Sequence, residues 1–404
     1  MRILKINAQA EAVSIMQKIG VDPCGIKIML GKVMTFAVLF KDLSSLAGNI
    51  LKQEMLSLGG DTAVSRGVLN GKLKTSDCLS FGTLSQFQRL VEKLKLQPFG
   101  LKEQAQILLD AINCYQKEKF VLEIGSFKLS LGRKTRIMAI MNLTPDSFSG
   151  DGLYHLLAKK DLPAILGIAE KLVADGADIL DIGGESCRPN ASFVNAKEEI
   201  KRVESVIKFL AKKIKVPISV DTYKPLVAKS ALDAGALIVN DISGLRAAAM
   251  RRLISASKAT VIIMHMRGGS PATMQKNIFY RSFLDEIIEE LSAAINRAEN
   301  EGIKPEKIVV DPGIGFGKTA EHNLEILNHL DELKILGKPV MVGVSRKSFI
   351  KGLAGKDAGA LLSGTLSATV LASLKGAQIV RVHDVKAVSQ ALKVSDAIKE
   401  NYYA

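Results

Sequence analysis

The feature that most constrains the fold of this 404-residue chain is a set of eight short apolar runs that recur from residue 136 onward. In chain order the runs are RIMAIMN, ADILDIGG, PISVD, LIVND, TVIIMH, KIVVDPG, PVMVGVS and IVRVHD. The segments between them return apolar residues every three or four positions, which is the period of an amphipathic helix. This alternation predicts parallel strands covered by helices, and eight such units match a (β/α)8 TIM barrel. An open doubly wound sheet is the alternative, although such a sheet has no reason to stop at eight repeats.

A hydrogen-bonding residue ends each of the eight runs. These residues are Asn142, Asp181, Asp221, Asn240 with Asp241, His265, Asp311, Ser345, and Arg381 with His383. In a barrel the carboxyl ends of all strands meet at one mouth, which is where active sites are built. A single aspartate at such a place is more often a turn or helix-cap residue. A whole ring favours a binding site, because Ser or Thr would serve as caps and neighbouring buried carboxylates are costly unless they bind something.

The chemistry of this ring indicates the kind of ligand. Carboxylate and amide side chains suit a flat ligand with several N–H donors, because one carboxylate accepts two parallel hydrogen bonds from an aminopyrimidine edge. Basic residues at the same mouth suit a phosphate or a carboxylate. They are Arg188, Lys318, Lys347 and Arg381. The sequence therefore predicts a substrate that carries both kinds of group.

The stretch DPGIGFGKT, residues 311–319, looks at first like a phosphate-binding loop. A P-loop needs a glycine five residues before the one that precedes the lysine, and Pro312 occupies that position. A dinucleotide-binding fingerprint needs a third glycine where Lys318 stands. Both nucleotide motifs are excluded, so the glycines serve another purpose.

Composition argues against several other classes of protein. The formal net charge of +14 could indicate nucleic-acid binding, but the lysines are scattered and aromatic residues make up only 5% of the chain; we expect anionic small substrates and no nucleic acid. The four cysteines form no CxxC pair, which argues against structural zinc or disulfides and for a reducing compartment. The first residues lack a signal-peptide core, and IMLGKVMTFAVLF is interrupted by Lys32 and too short to cross a bilayer. We expect a cytoplasmic protein without a membrane segment.

The first 118 residues predict a small α/β domain, and residues 119–404 predict the barrel. The segments RILKIN, VMTFAVLF, TAVSRGVL and DCLSFG are predicted strands, and four amphipathic segments between or after them are predicted helices. The stretch SLGGDTAVSRG could form a phosphate-binding turn, but an ordinary tight loop is favoured. No pattern indicates what this domain does.

The ordered motifs at the strand ends resemble those of dihydropteroate synthase. They are NLTPDSFSGDG, GGESCRP, SVDTYK, NDISG, DPGIGFGKTAEHNLEIL, VGVSRKSFIKGL and RVHDV, one after each predicted strand except the fifth. The likeness covers residues 120–400 and includes FVLEIGSFKLSLG, a predicted hairpin that would close the bottom of the barrel. Each motif alone is moderately specific, whereas the ordered set is highly specific.

The resemblance implies three groups of substrate-binding residues. The pterin ring would contact Asp181, Asp221, Asn240, Asp311 and Lys347. The p-aminobenzoate pocket would be shaped by Phe148, Cys187, Pro189, Phe316 and Ser345, with Lys318 reaching the same substrate. The diphosphate would be held by Asn142, Arg188, Arg381 and His383, with Mg²⁺ as the cofactor and Asn142 as its ligand from the protein.

The resemblance also implies a reaction, the transfer of the pterin methylene group from diphosphate to p-aminobenzoate in folate biosynthesis. Arg381, His383 and Mg²⁺ would stabilise the leaving diphosphate, and Asp221 with Asp181 behind it would stabilise positive charge on the ring. With Lys347, residues Asp221, Arg381 and His383 form the predicted catalytic set. The arylamine is neutral near pH 7, so no strong general base is required. We also expect a homodimer.

Two other functions stay open. A related pterin-binding methyltransferase barrel should lack the TPDSF and SRKS segments, and both are present. A catalytically silent scaffold paralogue would be expected to have lost Lys347, Arg381 or His383. The chain also departs from the family pattern: Cys187 replaces a threonine, Asn190 replaces a glycine, and KDAGALLSGTL lacks an arginine before its Gly-Thr. The first two departures put fine selectivity and the sulfonamide response in doubt, not the reaction.

Overall fold

The computed structural model describes residues 1–4, 6, 9–144, 153–186, 193–271 and 273–402, apart from the side chains of residues 400–402. Four predicted site residues lie outside these ranges, namely Phe148, Cys187, Arg188 and Pro189. The chain forms two compact units, one of Met1–Cys114 with Ile398–Ala404 and the other of Tyr115–Ala397. The domain boundary predicted at residue 118 stays a prediction.

The amino-terminal unit is built on a three-stranded antiparallel sheet. Its strands are β1 (Thr35–Ser44), β2 (Asp61–Val64) and β3 (Thr75–Thr83), with β3 between the other two. Its helices are α1 (Gln9–Ile19), α2 (Pro23–Val33), α3 (Ser45–Ser57), α4 (Arg66–Leu69), α5 (Leu84–Leu94) and α6 (Leu101–Tyr115). Phe40 and Cys78 from the sheet pack in one buried core with Leu51, Phe87 and Leu90 from the helices. The mixed α/β content agrees with the prediction, but the predicted strand RILKIN is wrong, since none of its described residues is in a strand. The predicted strand TAVSRGVL is right only in its first half, because Arg66–Leu69 form α4.

The second unit is a closed parallel barrel preceded by a hairpin of β4 (Phe120–Ile124) and β5 (Phe127–Leu131). The barrel strands are β6 (Arg136–Asn142), β7 (Ile179–Gly183), β8 (Ile218–Asp221), β9 (Ile238–Asp241), β10 (Thr260–Met264), β11 (Ile308–Asp311), β12 (Met341–Val342) and β13 (Ile379–Val382). Their hydrogen-bonded order is β11-β10-β9-β8-β7-β6-β13-β12. A parallel bridge between Val310 and Val340 joins the two outer strands of that order. The predicted (β/α)8 TIM barrel is confirmed.

Helices cover the outside of the barrel. They are α7 (Tyr154–Ala158), α8 (Leu162–Ala174), α9 (Ala196–Leu210), α10 (Pro225–Ala234), α11 (Ala248–Ser257), α12 (Phe283–Asn300), α13 (Ala320–Asn328), α14 (Ser348–Ala354), α15 (Ala358–Leu374) and α16 (Val385–Tyr402), with 3-10 turns at Pro305–Lys307 and Leu330–Leu336. Asn195, Thr319 and Asp357 start α9, α13 and α15 by accepting hydrogen bonds from first-turn N–H groups. Within the described ranges no single helix is long and apolar enough to cross a membrane; α14 and α15 meet that test only as a pair bent by 112°.

The strands place apolar residues at one end of the barrel interior and polar residues at the other. Inward pairs two residues apart are Ile179 and Asp181 on β7, Ile238 and Asn240 on β9, Val309 and Asp311 on β11, and Ile379 and Arg381 on β13. The apolar member of each pair packs with Leu122, Ile124 and Leu131 of the hairpin, which closes the amino end of the barrel as predicted. Because side chains alternate along a strand, the polar member then faces the interior at the carboxyl end. The barrel therefore has an apolar floor and a polar mouth.

The barrel unit has its own buried core, so a chain that starts at Lys119 should fold without the amino-terminal unit. We expect residues 119–404 to be soluble and to unfold cooperatively on heating, as followed by circular dichroism. Residues 119–397 are the matched control, because Ile398–Ala404 cluster with the first unit. Insoluble fragments, or broad transitions in both, would show that the first unit completes the fold.

Candidate active site

The carboxyl end of the barrel holds all ten predicted site residues that the structure describes. They are Asn142, Asp181, Asp221, Asn240, Asp311, Phe316, Ser345, Lys347, Arg381 and His383, each within a strand near its carboxyl end or in the loop that follows. Eight of them form two groups, one of Arg381 with Asp181, Asp221 and Asn240, and one of Lys347 with Phe316 and His383 with Ser345. Their roles toward substrates stay predictions.

Arg381 joins the acidic residues of the mouth. Its Nε lies 2.6 Å from Asp181 Oδ2, and its Nη2 lies 2.7 Å from Asp221 Oδ2. Asn240 donates its Nδ2–H to the same oxygen of Asp181 at 3.3 Å. Asp181 is fully buried and Asp221 nearly so, so one guanidinium neutralises two carboxylates in a place with little solvent.

Three buried acceptor atoms in this group have no hydrogen-bond partner among the described residues. They are the Oδ1 atoms of Asp181, Asp221 and Asn240. Buried polar atoms in folded proteins are nearly always paired, since an unpaired acceptor loses its hydration without compensation. The arrangement therefore suits a bound molecule that presents several N–H donors to this side of the mouth.

Burial raises the pKa values of two carboxyls at the mouth toward neutral pH. The pKa of Asp221 is raised to about 7, chiefly by burial and further by Asp181, while Arg381 and Lys347 oppose the rise. Burial likewise raises the pKa of Asp311 to about 6, although Asp311 Oδ1 accepts a hydrogen bond from the Gly313 N–H at 2.7 Å. Both groups can therefore share a proton with a ligand at physiological pH.

The second group lies on the loops after β11, β12 and β13. The ammonium of Lys347 is 4.5 Å from the centre of the Phe316 ring, which is within cation–π range. His383 Nδ1 is 3.0 Å from Ser345 Oγ, and the His383 N–H donates to the same hydroxyl at 3.3 Å. A cation, an aromatic face and an imidazole thus stand beside the acidic group, which suits an aromatic or anionic second ligand.

Comparisons with known proteins agree with this geometry. The model of the family described as "Pterin binding enzyme" matches residues 138–383. A dihydropteroate synthase from Synechocystis sp. is 44% identical over 279 residues, which are 69% of this chain and 94% of that protein. The chain belongs to the dihydropteroate synthase family.

Two further relatives show how far the likeness extends. A probable bifunctional folylpolyglutamate synthase/dihydropteroate synthase from Halobacterium salinarum is 35% identical over 398 residues, covering 98% of this chain and 46% of that protein. The match thus includes the amino-terminal unit, while the chain spans less than half of the bifunctional relative. The crystal structure of dihydropteroate synthase from Thermus thermophilus in complex with 4-aminobenzoate has a TM-score of 0.61 and 39% identity, covering 69% of this chain and 99% of that one.

The glycines after Asp311 let the loop approach neighbouring backbone rather than a nucleotide. Gly313 has φ +69°, and a Cβ there would lie 1.9 Å from the carbonyl oxygen of His265. Gly317 has φ +66°, and a Cβ there would lie 2.9 Å from the carbonyl oxygen of Arg267. Only glycine fits such contacts in the left-handed region. In this member of the dihydropteroate synthase family the motif therefore brings the loop after β11 against the loop after β10.

Lys318 does not take the place that the sequence predicted. We expected it to reach the second substrate, but its side chain is buried and its Nζ lies 2.8 Å from His265 Nδ1. The same Nζ donates to the carbonyl oxygen of Phe316 at 3.1 Å. Lys318 thus lies behind the glycine loop, and it is the Phe316 ring that faces Lys347.

Sequence reasoning missed two ion-pair networks that support the mouth. Arg346, in the left-handed region with φ +57°, makes a two-point contact with Asp384 at 3.1 and 2.6 Å, which joins the loops after β12 and β13. Lys224 lies 2.5 Å from a carboxylate oxygen of Glu199 and 2.8 Å from one of Glu185. Arg346, Asp384, Glu185 and Lys224 all stand within the motifs SRKS, RVHDV, GGESCRP and SVDTYK, but only tertiary contacts reveal the pairing.

Arg381→Met keeps much of the side-chain volume and removes the cation between Asp181 and Asp221. We expect a loss of about 3–5 kcal/mol in the free energy of unfolding at pH 8, because a buried ion pair loses one partner. The pKa of Asp221, already about 7, should rise further. When a carboxyl is protonated in the folded protein and ionised in the unfolded chain, the free energy of unfolding falls as the pH rises from about 4 to the folded-state pKa. The loss should therefore be smaller at pH 5.5, and urea titrations at both pH values measure it.

Arg136→Met is the matched control for this prediction. Arg136 pairs with Asp178 at 2.9 Å at the opposite end of the barrel, where both side chains are partly exposed. Such a pair contributes on the order of 1 kcal/mol or less. An equal loss at pH 5.5 and pH 8 for Arg381→Met would contradict the coupling of Arg381 to the carboxyls.

Proposed function

We propose that this chain condenses 6-hydroxymethyl-7,8-dihydropterin diphosphate with p-aminobenzoate to form 7,8-dihydropteroate and diphosphate. Membership of the dihydropteroate synthase family supports this reaction. The observation that carries it is the set of buried acceptors on Asp181, Asp221 and Asn240 that have no hydrogen-bond partner among the described residues, beside Arg381 at the polar mouth of a barrel with an apolar floor.

The acceptors suit the pyrimidine edge of a pterin. That edge carries an exocyclic amine and ring N–H groups, which a carboxylate can bind through two parallel hydrogen bonds. Asp221 and Asp311, with pKa values raised to about 7 and about 6, can each hold or accept a proton opposite a ring nitrogen. Asn240 offers an amide oxygen to a further donor. We assign the pterin to this side of the mouth.

The loops after β11 and β12 suit p-aminobenzoate. Phe316 offers an aromatic face to the benzene ring, and the ammonium of Lys347 lies over the Phe316 ring. Because Lys347 also opposes the burial-driven rise in the pKa values of Asp221 and Asp311, it stands between the two ligands and keeps its predicted role toward the pterin. The Thermus thermophilus relative is described in complex with 4-aminobenzoate. The other residues predicted for this pocket, Phe148, Cys187 and Pro189, lie outside the described residues.

Asn142 is the side chain that would hold Mg²⁺. A Cβ built on Gly183 would lie 3.7 Å from Asn142 Oδ1 and 3.8 Å from Asp221 Oδ2, so the two side chains flank the same glycine. In the part of the chain that the structure describes, no group of three or more His, Cys, Asp or Glu side chains could hold a metal ion. This fits Mg²⁺, which often binds one or two protein oxygens together with substrate phosphates. The ion would supply charge neutralisation at the diphosphate.

The reaction needs orientation and charge stabilisation more than acid–base catalysis. The amine nitrogen forms a bond to the pterin methylene carbon, the carbon–oxygen bond to diphosphate breaks, and the nitrogen loses one proton. Asp221 and Asp181 would stabilise positive charge on the ring, and Arg381 with His383 would stabilise the leaving oxygens. Holding both reactants in line contributes the rest. The homodimer and the cytoplasmic location predicted from the sequence stay predictions.

A diphosphate-release assay tests the proposal directly. We expect full-length protein with Mg²⁺ to release diphosphate only when both the pterin diphosphate and p-aminobenzoate are present. Pterin binding without turnover would favour the silent paralogue. Neither binding nor turnover would contradict the proposal, and methyl transfer from a methylated pterin would favour the methyltransferase barrel instead.

Asp311→Ala should weaken pterin binding at least about tenfold, since the ring loses a charged acceptor in a buried place. Titration of pterin fluorescence with protein measures the dissociation constant. Asp178→Ala is the matched control, because Asp178 accepts a hydrogen bond from the Ile137 N–H at 2.9 Å at the other end of the barrel. An unchanged affinity in Asp311→Ala, with the fold intact, would remove Asp311 from the pterin site.

A further inference from the structure

The ammonium of Lys318 forms its hydrogen bonds with other groups of the protein. The side chain is 3% exposed, and Nζ faces three acceptors: His265 Nδ1 at 2.8 Å, the Phe316 carbonyl oxygen at 3.1 Å and the His265 carbonyl oxygen at 3.4 Å. An ammonium has three N–H donors, so these three acceptors match its full capacity. The contact joins the end of β10 to the loop after β11.

His265 also lies next to α12. Its Nε2 lies 3.3 Å from Glu290 Oε2, and Glu290 is held by Arg267 at 2.5 Å. Burial and the neighbouring Lys318 lower the pKa of His265 to about 4, so the ring is neutral at pH 7. A neutral ring that accepts at Nδ1 from the ammonium carries its proton on Nε2, facing Glu290. The contact with Lys318 therefore sets the tautomer of His265, whereas Nε2 makes no hydrogen bond among the described residues.

Burial also lowers the pKa of Lys318 to about 7, while Asp311 and Glu290 act in the opposite direction. A buried lysine keeps a charge poorly unless acceptors and anions surround it. This cost makes a purely space-filling role for Lys318 a poor explanation, because an apolar side chain would fill the same volume without it.

The residue that Lys318 holds is Phe316. The Lys318 ammonium binds the Phe316 carbonyl, the Phe316 N–H donates to the Gly313 carbonyl at 3.0 Å, and the Phe316 ring lies under Lys347. The intervening glycines have positive φ, so the loop has many conformations open to it unless side chains restrict it. The direction of the Phe316 ring thus depends on the anchoring of its backbone.

We propose that Lys318 is a positioning residue that, with His265, fixes the Phe316 backbone and so orients the Phe316 ring toward the arylamine substrate. The inference rests on the proposed function, because it assigns Phe316 to the p-aminobenzoate side. Lys318 touches no substrate in this scheme. It acts chiefly on the affinity for the second substrate, and its charge reaches the pterin side only by opposing the burial-driven rise in the pKa of Asp311.

Lys318→Met in the full-length protein with Mg²⁺ provides the test. We expect the KM for p-aminobenzoate to rise at least about tenfold, while the KM for the pterin diphosphate and kcat change less than about threefold. Lys338→Met is the matched control, because Lys338 is also largely buried and binds Glu299 at 2.6 Å and the Pro305 carbonyl at 3.2 Å, before β12 at the opposite end of the barrel. The control should lose stability without changing either KM.

A double-mutant cycle with Phe316→Ala shows whether Lys318 acts through that ring. If it does, Lys318→Met should raise the KM for p-aminobenzoate in the wild-type background and have little effect in the Phe316→Ala background. Additive effects would overturn the assignment. Should Lys318→Met fail to fold, His265→Leu removes the ring acceptor and should give the same selective rise in KM.

The outcomes separate this inference from the proposed function. Absence of turnover in the wild type would defeat the reaction itself. An active wild type whose Lys318→Met variant keeps its KM for p-aminobenzoate, or loses affinity for both substrates equally, would overturn the positioning role and leave the reaction in place.

Discussion

The two-point contact of Arg381 with Asp181 and Asp221 is the interaction on which the mouth of the barrel depends. Moving a carboxylate out of water costs several kcal/mol, and here two lie side by side with Asn240 above an apolar floor. Arg381 offsets the charge at 2.6 and 2.7 Å, yet one oxygen of each aspartate keeps no partner among the described residues. A fully satisfied network would be more stable and would have nothing to offer a ligand. The unpaired oxygens are therefore a cost to folding that a bound pterin would relieve.

Around this group, the loops after β11, β12 and β13 are held by ion pairs or hydrogen bonds that need not touch a substrate. Arg346 and Asp384 join the loops that carry Lys347 and His383, and Lys318 with His265 anchors the loop that carries Phe316. Arg346 is in a backbone conformation that costs a non-glycine residue about 1–2 kcal/mol, and the contact with Asp384 holds it there. Such second contacts matter because side chains on loops are placed less accurately than side chains on strands.

The sequence was sufficient for the barrel and for the position of the mouth, because both follow from short-range rules. Alternation along a strand places Ile179 and Asp181 on the same inner face, and parallel strands bring their carboxyl ends together. The direction of the Lys318 side chain could not be predicted from these short-range rules. A lysine after a glycine loop can turn toward the solvent, the substrate or the protein, and the choice depends on His265, which is 53 residues away in the chain. The pairing of Arg346 with Asp384 is hidden for the same reason, and the strand predicted for RILKIN failed because no partner strand pairs with its described residues.

The division of the mouth into two sides also bears on which reaction a pterin-binding barrel performs. The acidic side, formed by β7, β8, β9 and β11, offers what any pterin would need, so it does not by itself distinguish a synthase from a methyltransferase. The distinguishing chemistry lies on the other side, where Lys347, Phe316 and His383 follow β12, β11 and β13. A methyl transfer to a thiol or a metal needs no aromatic face beside a cation, whereas a benzoate is matched by both. We therefore propose that the second side of the mouth, rather than the more heavily charged pterin side, selects an arylamine acid as the nucleophile.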